Sequence, residues 1–202
     1  ELFFEQKRKE LVQSMKNSGA IKTREAEEVF LKVKREIFVP AHLQREAYED
    51  TALPLRNGQT ISQPSTIAVM LETLCAEKGE KVLEVGSGCG YVLALLSEIV
   101  GKEGKVFGIE IVKELAEESK KNLKQLGCKN AKVFKGDGSV GLQKHSPFDK
   151  IVVSAACPFF PKTLFNQLKE GGRAVAPIGD IGSQIIQAIT KKNGKPIKTE
   201  YL

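Results

Sequence analysis

The chain has 202 residues and a formal net charge of +6 at pH 7, from 31 basic and 25 acidic side chains. No apolar run approaches the roughly 20 residues that cross a membrane, and the charged N-terminal segment lacks the core of a signal peptide, so we expect a cytoplasmic protein. The four cysteines form no C-x-x-C pair, which argues against a metal site and favours reduced, mostly buried thiols. Lysine and glutamate are interleaved, which favours solvated helix faces over a nucleic-acid footprint.

Residues 1–57 do not alternate strands with helices, and the pattern predicts an appended helical segment. Apolar residues that can share one stripe of a first helix are Leu2, Phe3, Leu11, Val12 and Met15. Thr23 is typical of the N-cap of a second helix. The buried face of that helix is predicted at Ala26, Val29, Phe30 and Val33, and the segment closes at a proline in IFVP, residues 37–40. We therefore expect an N-terminal extension at residues 1–57, packed on a main domain at residues 58–202.

The main domain begins with NGQTISQP, residues 57–64, which predicts a turn and a polar extended segment. Apolar residues at helical spacing follow over residues 65–76 and predict a helix. The amide and hydroxyl side chains of the segment suit a binding site. The alternative is that they only cap the helix and satisfy the loop backbone.

The stretch KVLEVGSGCGY, residues 81–91, combines a short apolar run with three alternate glycines. It predicts a buried strand, a tight turn where a ligand can approach the main chain, and a helix over residues 91–100. A dinucleotide fingerprint has G-x-G-x-x-G, whereas the third glycine here comes one residue early. The pattern from Glu84 to Gly90 resembles motif I of the class I S-adenosylmethionine (SAM) methyltransferases. The alternative is a tight βα turn with no ligand.

Beyond this turn, predicted strands and helices alternate regularly. Strands are predicted at residues 105–110, 131–135, 149–154 and 173–177, and helices at residues 114–126 and 162–168, the last one ending at Gly171 and Gly172. Residues 183–190 alternate before Asn193 and Gly194, which predicts a C-terminal antiparallel hairpin. The predicted fold is therefore α/β, a Rossmann-like, doubly wound, mainly parallel sheet.

Ligands of such sheets bind beyond the carboxyl ends of the strands. Glu84 and Gly86 end the first strand of the sheet, Glu110 ends the second, and Asp137 and Gly138 follow the third. A carboxylate at Glu110 can accept hydrogen bonds from a ribose diol in NAD enzymes and methyltransferases alike, and an adenine would lie beside Asp137. These residues together predict a nucleoside cofactor at this edge.

Methyl transfer from SAM requires a nucleophile aligned behind the methyl carbon and protection from water. An amine or phenol acceptor usually needs a base, whereas a carboxylate is already ionised at neutral pH. Neither His42 nor His145 lies beside a predicted strand end, and SAACP at residues 154–158 lacks the N-P-P-Y motif of amino-methylating enzymes. A carboxylate acceptor therefore fits better.

Four motifs, in this order and spacing, resemble the protein-L-isoaspartate O-methyltransferase family. They are NGQTISQP at residues 57–64, LEVGSGCGY at 83–91, GDG at 136–138 and QLKEGGRAVAPIG at 167–179. QTISQP is the diagnostic part, because the glycine motif is common to class I methyltransferases. The resemblance implies SAM as methyl donor, S-adenosylhomocysteine as product, and methylation of the free α-carboxyl of L-isoaspartyl residues in damaged peptides and proteins. The resulting ester would collapse to a succinimide and so allow repair.

The resemblance also implies a role for each matching residue. Ser62 would be the active-site serine, whose hydroxyl orients the substrate carboxylate without acting as a covalent nucleophile. Ser154, Ala155 and Ala156 would face the isoaspartyl backbone. The cofactor would contact Thr60 and Ile61 at its wall, Glu84, Gly86, Ser87 and Gly88 at its methionine part, Glu110 at its ribose, and Asp137 and Gly138 at its adenine.

The chain departs from the family pattern at two places. Ser65 and Thr66 stand where many members carry bulkier residues, which bears on substrate affinity. The chain stops at Leu202, shortly before the family's last strand, which we expect to be missing. We expect no specific nucleic-acid partner and no membrane partner, and the pattern assigns no oligomeric state.

Three alternatives fit parts of the pattern. The first is another class I methyltransferase, with an RNA or small-molecule acceptor, which the positive charge supports weakly. The second is a protein that binds SAM without catalysis. The third is an NAD oxidoreductase, which the glycine spacing disfavours.

Overall fold

The structure, a computed structural model, describes residues 1–180 and 182–201. Its helices α1 to α6 are Leu2–Asn17, Arg24–Lys32, Pro64–Leu74, Tyr91–Val100, Lys113–Gln125 and Lys162–Asn166. Its strands β1 to β9 are Leu53–Pro54, Thr60–Ile61, Lys81–Val85, Lys105–Glu110, Ala131–Lys135, Phe148–Val153, Leu168–Asp180, Ser183–Lys192 and Lys195–Tyr201. No helix within these residues is both long and apolar enough to span a bilayer.

Seven strands form the main sheet in the order β5-β4-β3-β6-β7-β8-β9. The strands β3 to β7 pair in parallel, and β8 and β9 are added antiparallel. The chain builds outward from β3 to β5 and then crosses back to place β6 on the other side of β3. Ligands of open α/β sheets bind at such a reversal of strand order, here at the carboxyl ends of β3 and β6. The predicted fold class, including the C-terminal hairpin, is confirmed.

Apolar side chains cover both faces of the sheet, as expected for strands that read as continuous apolar runs. On one face, Val82, Val106 and Val152 pack with α3, α4 and the N-terminal helices in one buried cluster. On the other face, Leu83 and Ile151 belong to a second cluster with α6. The sheet is thereby packed on both faces, and its strand ends carry the site.

The N-terminal helices differ from the prediction at their ends. The Thr23 hydroxyl caps α2 by accepting a hydrogen bond from Ala26 N, as predicted. Leu2 and Phe3 are exposed, because the first turn of α1 extends past the surface on which the rest of the stripe packs. The helix α2 ends at Lys32, well before Pro40, because Val33 adopts an extended conformation. A separate 3-10 helix, Arg35–Phe38, follows and turns Arg35 into the interior.

The strand β7 begins earlier than predicted. The helix α6 ends at Asn166, and Gly171 and Gly172 lie inside the strand instead of terminating the helix. The pairing of β6 with β7 jumps from Phe148↔Leu168 to Lys150↔Arg173, so the glycines occupy a bulge.

Other expectations concern the thiols and the domain division. All four cysteines are free, as predicted, although only Cys89 is buried and Cys75 is exposed. The division at residues 57 and 58 stays a prediction. The strand expected after Leu202 lies outside the described residues.

The burial of α1 predicts which of its apolar residues stabilise the fold. Met15 is 1% exposed and Leu2 is 82% exposed. We expect Met15→Ala to lower the free energy of unfolding by about 2–5 kcal/mol, because it removes buried surface and leaves a cavity. Leu2→Ala should change it by less than about 0.5 kcal/mol. Urea denaturation of both variants provides the measurement, and equal losses would contradict the packing of α1.

Candidate active site

The turn between β3 and α4 is anchored to the end of β4. Gly86 N and Ser87 N both donate to the carbonyl oxygen of Ile109, at 2.9 and 3.0 Å. Gly88 N donates to Oε2 of Glu110 at 2.8 Å. Three successive backbone donors therefore fix the glycine-rich turn against the neighbouring strand.

Two glycines of this turn are required by its surroundings. Gly86 has φ +80° and Gly90 has φ +90°, a region that residues with a Cβ rarely adopt. A Cβ on Gly86 would lie 3.2 Å from Cβ of Ala155, and a Cβ on Gly90 would overlap Oγ of Ser119. The turn is thus enclosed between the loop after β6 and the helix α5.

Glu84 is a buried carboxyl group beside this turn. Its Oε1 accepts a hydrogen bond from Oγ of Ser154 at 2.6 Å, and its Oε2 has no partner among the described residues. Burial raises the pKa of Glu84 to about 8, and the negative charge of Glu110 also raises it, whereas the hydrogen bond from Ser154 lowers it. In the free protein at neutral pH this group is therefore mainly protonated.

Glu110 and the GDG motif lie along the same edge of the sheet. The carboxylate of Glu110 accepts from Gly88 N and from Val112 N, and each oxygen can still accept a second hydrogen bond. Gly136 N donates to the carbonyl oxygen of Glu110 at 2.9 Å. Asp137 is exposed, and a hydrogen bond from Ser139 N lowers the pKa of its carboxyl.

Ser62 lies on the other side of the site, in the segment between β2 and α3. Together with Ser154 it lines a small cavity of about 20 Å³. The other residues lining this cavity are apolar: Ile67, Met70, Leu71, Val92 and Val152. Because Ser154 is bonded to Glu84, the predicted serine is brought close to the predicted cofactor turn.

The remaining predicted residues are less enclosed. Thr60 is exposed, and within the described chain no hydrogen bond joins its side chain to residues 84–88, whereas its neighbour Ile61 is buried. Ala155 and Ala156 are exposed on the loop after β6. Gly138 lies against the side chain of Val85, at the end of β3.

Arg35 is a buried residue in contact with the candidate site, and sequence reasoning missed it. Its guanidinium donates from Nη2 to the carbonyl oxygen of Ser62 at 3.0 Å. It also lies over the ring of Tyr91, 5.0 Å from the centroid. An arginine beside an apolar run gives no local signal of burial, because surface arginines occur in the same setting.

Comparison with solved structures places this arrangement in a broad class. A SAM-dependent O-methyltransferase from Thermotoga maritima has a TM-score of 0.53 at 16% identity, covering 79% of this chain and 76% of that one, which shows a shared fold. The sheet order, the glycine turn after β3 and the carboxylate ending β4 define a Rossmann-like α/β protein whose ligand edge lies at the carboxyl ends of β3 and β4.

More similar proteins identify the family. The sequence profile of protein-L-isoaspartate(D-aspartate) O-methyltransferase matches residues 6–202. A protein-L-isoaspartate O-methyltransferase of Archaeoglobus fulgidus is 49% identical over 198 residues, 98% of this chain and 90% of that protein. One from Dictyoglomus turgidum is 45% identical, over 98% of this chain and 94% of its own length. The chain belongs to the protein-L-isoaspartate O-methyltransferase family.

Solved members of this family have the same fold. A Plasmodium falciparum structure, described as this methyltransferase in complex with S-adenosyl-L-homocysteine, has a TM-score of 0.85 at 29% identity and covers 96% of this chain and 94% of that one. A further protein-L-isoaspartate O-methyltransferase has a TM-score of 0.88 at 33% identity, and this chain spans 63% of its length. The resemblance seen in the motifs is confirmed.

The burial of Glu84 predicts a pH dependence of stability. An unfolded Glu84 ionises near 4.5, whereas the folded one ionises near 8. Between these values the folded state keeps a proton that the unfolded state has lost, so the free energy of unfolding falls as the pH rises. Glu84→Gln does not titrate, so its stability relative to wild type should increase across this range, by no more than about 1.4 kcal/mol per pH unit.

Urea denaturation between pH 5 and pH 8.5 measures this difference. The exposed Glu46→Gln is the control, and its difference from wild type should stay flat. A flat difference for Glu84→Gln as well would show that the buried carboxyl ionises normally.

Proposed function

We propose that this protein is a repair enzyme that transfers a methyl group from SAM to the free carboxyl of L-isoaspartyl residues in damaged proteins. Family membership over nearly the whole chain supports this activity over an RNA, small-molecule or nicotinamide substrate. The observation that carries the proposal is the shared cavity of Ser62 and Ser154, with Ser154 bonded to the buried Glu84. This arrangement supports a role for the Ser62 hydroxyl in binding the acceptor next to the cofactor turn.

The residues of the turn fit SAM. When bound, SAM supplies an electrophilic methyl group on a positively charged sulfur. Among the described residues, buried atoms beside the turn that lack a partner include Oε2 of Glu84 and Oγ of Ser87, which suit the polar methionine end of a cationic ligand. We assign the methionine part to Glu84, Gly86, Ser87 and Gly88, the ribose to Glu110, the adenine to Asp137 and Gly138, and the wall of the pocket to Thr60 and Ile61.

The acceptor side needs no general base, because an isoaspartyl α-carboxylate is ionised at neutral pH. The Ser62 hydroxyl donates a hydrogen bond to one carboxylate oxygen and so aims the other oxygen at the methyl carbon. The Ser154 hydroxyl already donates to Glu84 and can only accept from the substrate. Ala155 and Ala156, both exposed, face the backbone of the damaged residue. The apolar side chains around Ser62 exclude water from the reacting atoms.

We also propose the division into a helical extension, residues 1–57, and a methyltransferase domain, residues 58–202. Buried residues of both parts belong to one cluster, which supports an extension packed on the domain. A cytoplasmic location is supported by the four free cysteines, since disulfides are rare in that compartment. The proposed partners are isoaspartyl peptides and proteins, with neither a specific nucleic acid nor a membrane.

Methyl transfer tests the activity directly. With labelled SAM, we expect base-labile methylation of a peptide containing L-isoaspartate and none of the matching aspartyl peptide. Ser62→Ala should lower kcat/KM roughly 10- to 100-fold, because it removes a hydrogen bond to a charged acceptor. The exposed Ser14→Ala on α1 should behave as wild type. Methylation of both peptides, or full activity of Ser62→Ala, would overturn the assignment.

Binding of S-adenosylhomocysteine tests the cofactor side. In Glu110→Gln, the amide NH₂ must face either Gly88 N or Val112 N, so one anchoring hydrogen bond is lost along with the charge. We expect the affinity measured by calorimetry to fall about 10-fold or more. The exposed Glu103→Gln serves as the control. Unchanged affinity in Glu110→Gln would remove Glu110 from the cofactor site.

A further inference from the structure

Arg35 is fully buried, with 0% of its surface exposed. Its Nε donates to the carbonyl oxygen of Ala47 at 2.8 Å, its Nη2 donates to that of Ser62 at 3.0 Å, and its Nη1 has no partner among the described residues. The ion pairs of the described chain do not include Arg35. The side chain is thus a buried cation held by main-chain carbonyl groups.

A buried, unpaired cation of this kind lowers the stability of the folded state. Removing a guanidinium from water without an opposing carboxylate is unfavourable, and an apolar side chain of similar size would fill the space at lower free energy. The ring of Tyr91 offsets part of this cost through a cation–π contact. Since an apolar residue would stabilise the fold more, we look for the role of Arg35 in the main chain that its hydrogen bonds position, at Ala47 and Ser62.

The main chain that Arg35 holds has little regular secondary structure around it. The strands β1 and β2 pair through only two residues each, Leu53↔Ile61 and Pro54↔Thr60. A two-stranded ribbon of this length is marginal by itself. After it, Ser62 O accepts from Arg35 and Ser65 N donates to Oδ1 of Asp50 at 2.9 Å. Both tethers of the serine segment therefore come from residues 35–50.

The same guanidinium reaches the cofactor turn. Tyr91 is the first residue of α4 and follows Gly90 directly. Its ring is buried between the guanidinium of Arg35 and the ring of Phe38, 5.3 Å from the latter. One side chain of the N-terminal segment thus contacts both halves of the site.

We propose that Arg35 is a positioning residue for methyl transfer, which fixes the main chain of Ser62 relative to the turn at residues 86–90. The Ser62 hydroxyl then meets the acceptor carboxylate in line with the methyl donor. This role rests on the proposed function, and it gives the N-terminal segment a part in the geometry of the site.

Two substitutions of Arg35 test the role. Arg35→Met keeps an apolar chain of similar length but donates no hydrogen bond, and it removes the buried charge, so it should fold. Arg35→Lys keeps the charge but cannot reproduce the fork that spans two carbonyl groups. We expect both to lower kcat/KM for the isoaspartyl peptide by up to about 100-fold, because a small misplacement of a reacting group is costly.

Arg8→Met is the matched control. Arg8 is also a buried arginine, 8% exposed, and it donates to the Tyr48 hydroxyl, the carbonyl oxygen of Leu31 and Glu36, none of which lies in residues 60–65 or 86–91. Arg8→Met should lower stability at least as much as Arg35→Met, since it leaves Glu36 without its cation, yet retain kcat/KM. Equal loss of kcat/KM in Arg8→Met and Arg35→Met would show that Arg35 affects activity only through the stability of the fold.

A double variant separates positioning from general damage. If Arg35 acts through Ser62, then Arg35→Met combined with Ser62→Ala should be little worse than Ser62→Ala alone. Multiplication of the two losses would overturn the proposal.

Amide hydrogen exchange at residues 60–65 provides a readout that needs no turnover. Exchange there should accelerate in Arg35→Met and not in Arg8→Met. Unchanged exchange at residues 60–65 in Arg35→Met would show that the hydrogen bond from Arg35 to Ser62 O does not hold this segment. An inactive wild-type protein refutes the proposed function, whereas an active one whose kcat/KM is unaffected by Arg35→Met refutes only the role of Arg35.

Discussion

The three hydrogen bonds that the amides of residues 86–88 donate to the end of β4 are the constraint on which the site depends. They hold the glycine-rich turn in shape through the protein's own groups, before any ligand is bound. A preformed turn avoids the entropy of ordering a loop on binding. It also fixes the start of α4, and with it Tyr91, against which the N-terminal segment packs.

Two buried ionisable groups are hydrogen-bonded to the serines that line the Ser62 cavity, and the burial of both is unfavourable for stability. Glu84 is held largely neutral by burial and is bonded to Ser154, whereas Arg35 carries a cation with no carboxylate partner in the described chain. A fold selected for stability alone would favour apolar residues at both places. Costly groups of this kind concentrate at functional sites. Glu84 is linked to the cavity through Ser154 and Arg35 through Ser62, so the two groups connect the cofactor side of the site to the acceptor side.

The sequence predicts the centre of the fold better than its periphery. The strands β4 and β5 and the helix α4 were predicted at their observed bounds, because buried parallel strands read as apolar runs and glycines mark their ends. The early start of β7 was missed, since Gly171 and Gly172 signal a helix end and a strand bulge equally well. The exposure of Leu2 was missed because periodicity does not reveal how far a packing surface extends.

In the candidate site, the sequence predicts individual residues but not the contacts between distant segments. Glu84, Gly86 and Glu110 could be selected from local sequence because each ends a strand or forms its turn. The pairing of Ser62 with Ser154, and the tether from Arg35 to Ser62, join segments that are distant in the chain and are visible only once the fold brings them together. Ser62, the proposed active-site serine, lies on a short segment without a large sheet of its own. Its geometry must therefore be supplied by neighbours, and residues 35–50 provide two of the hydrogen bonds that supply it.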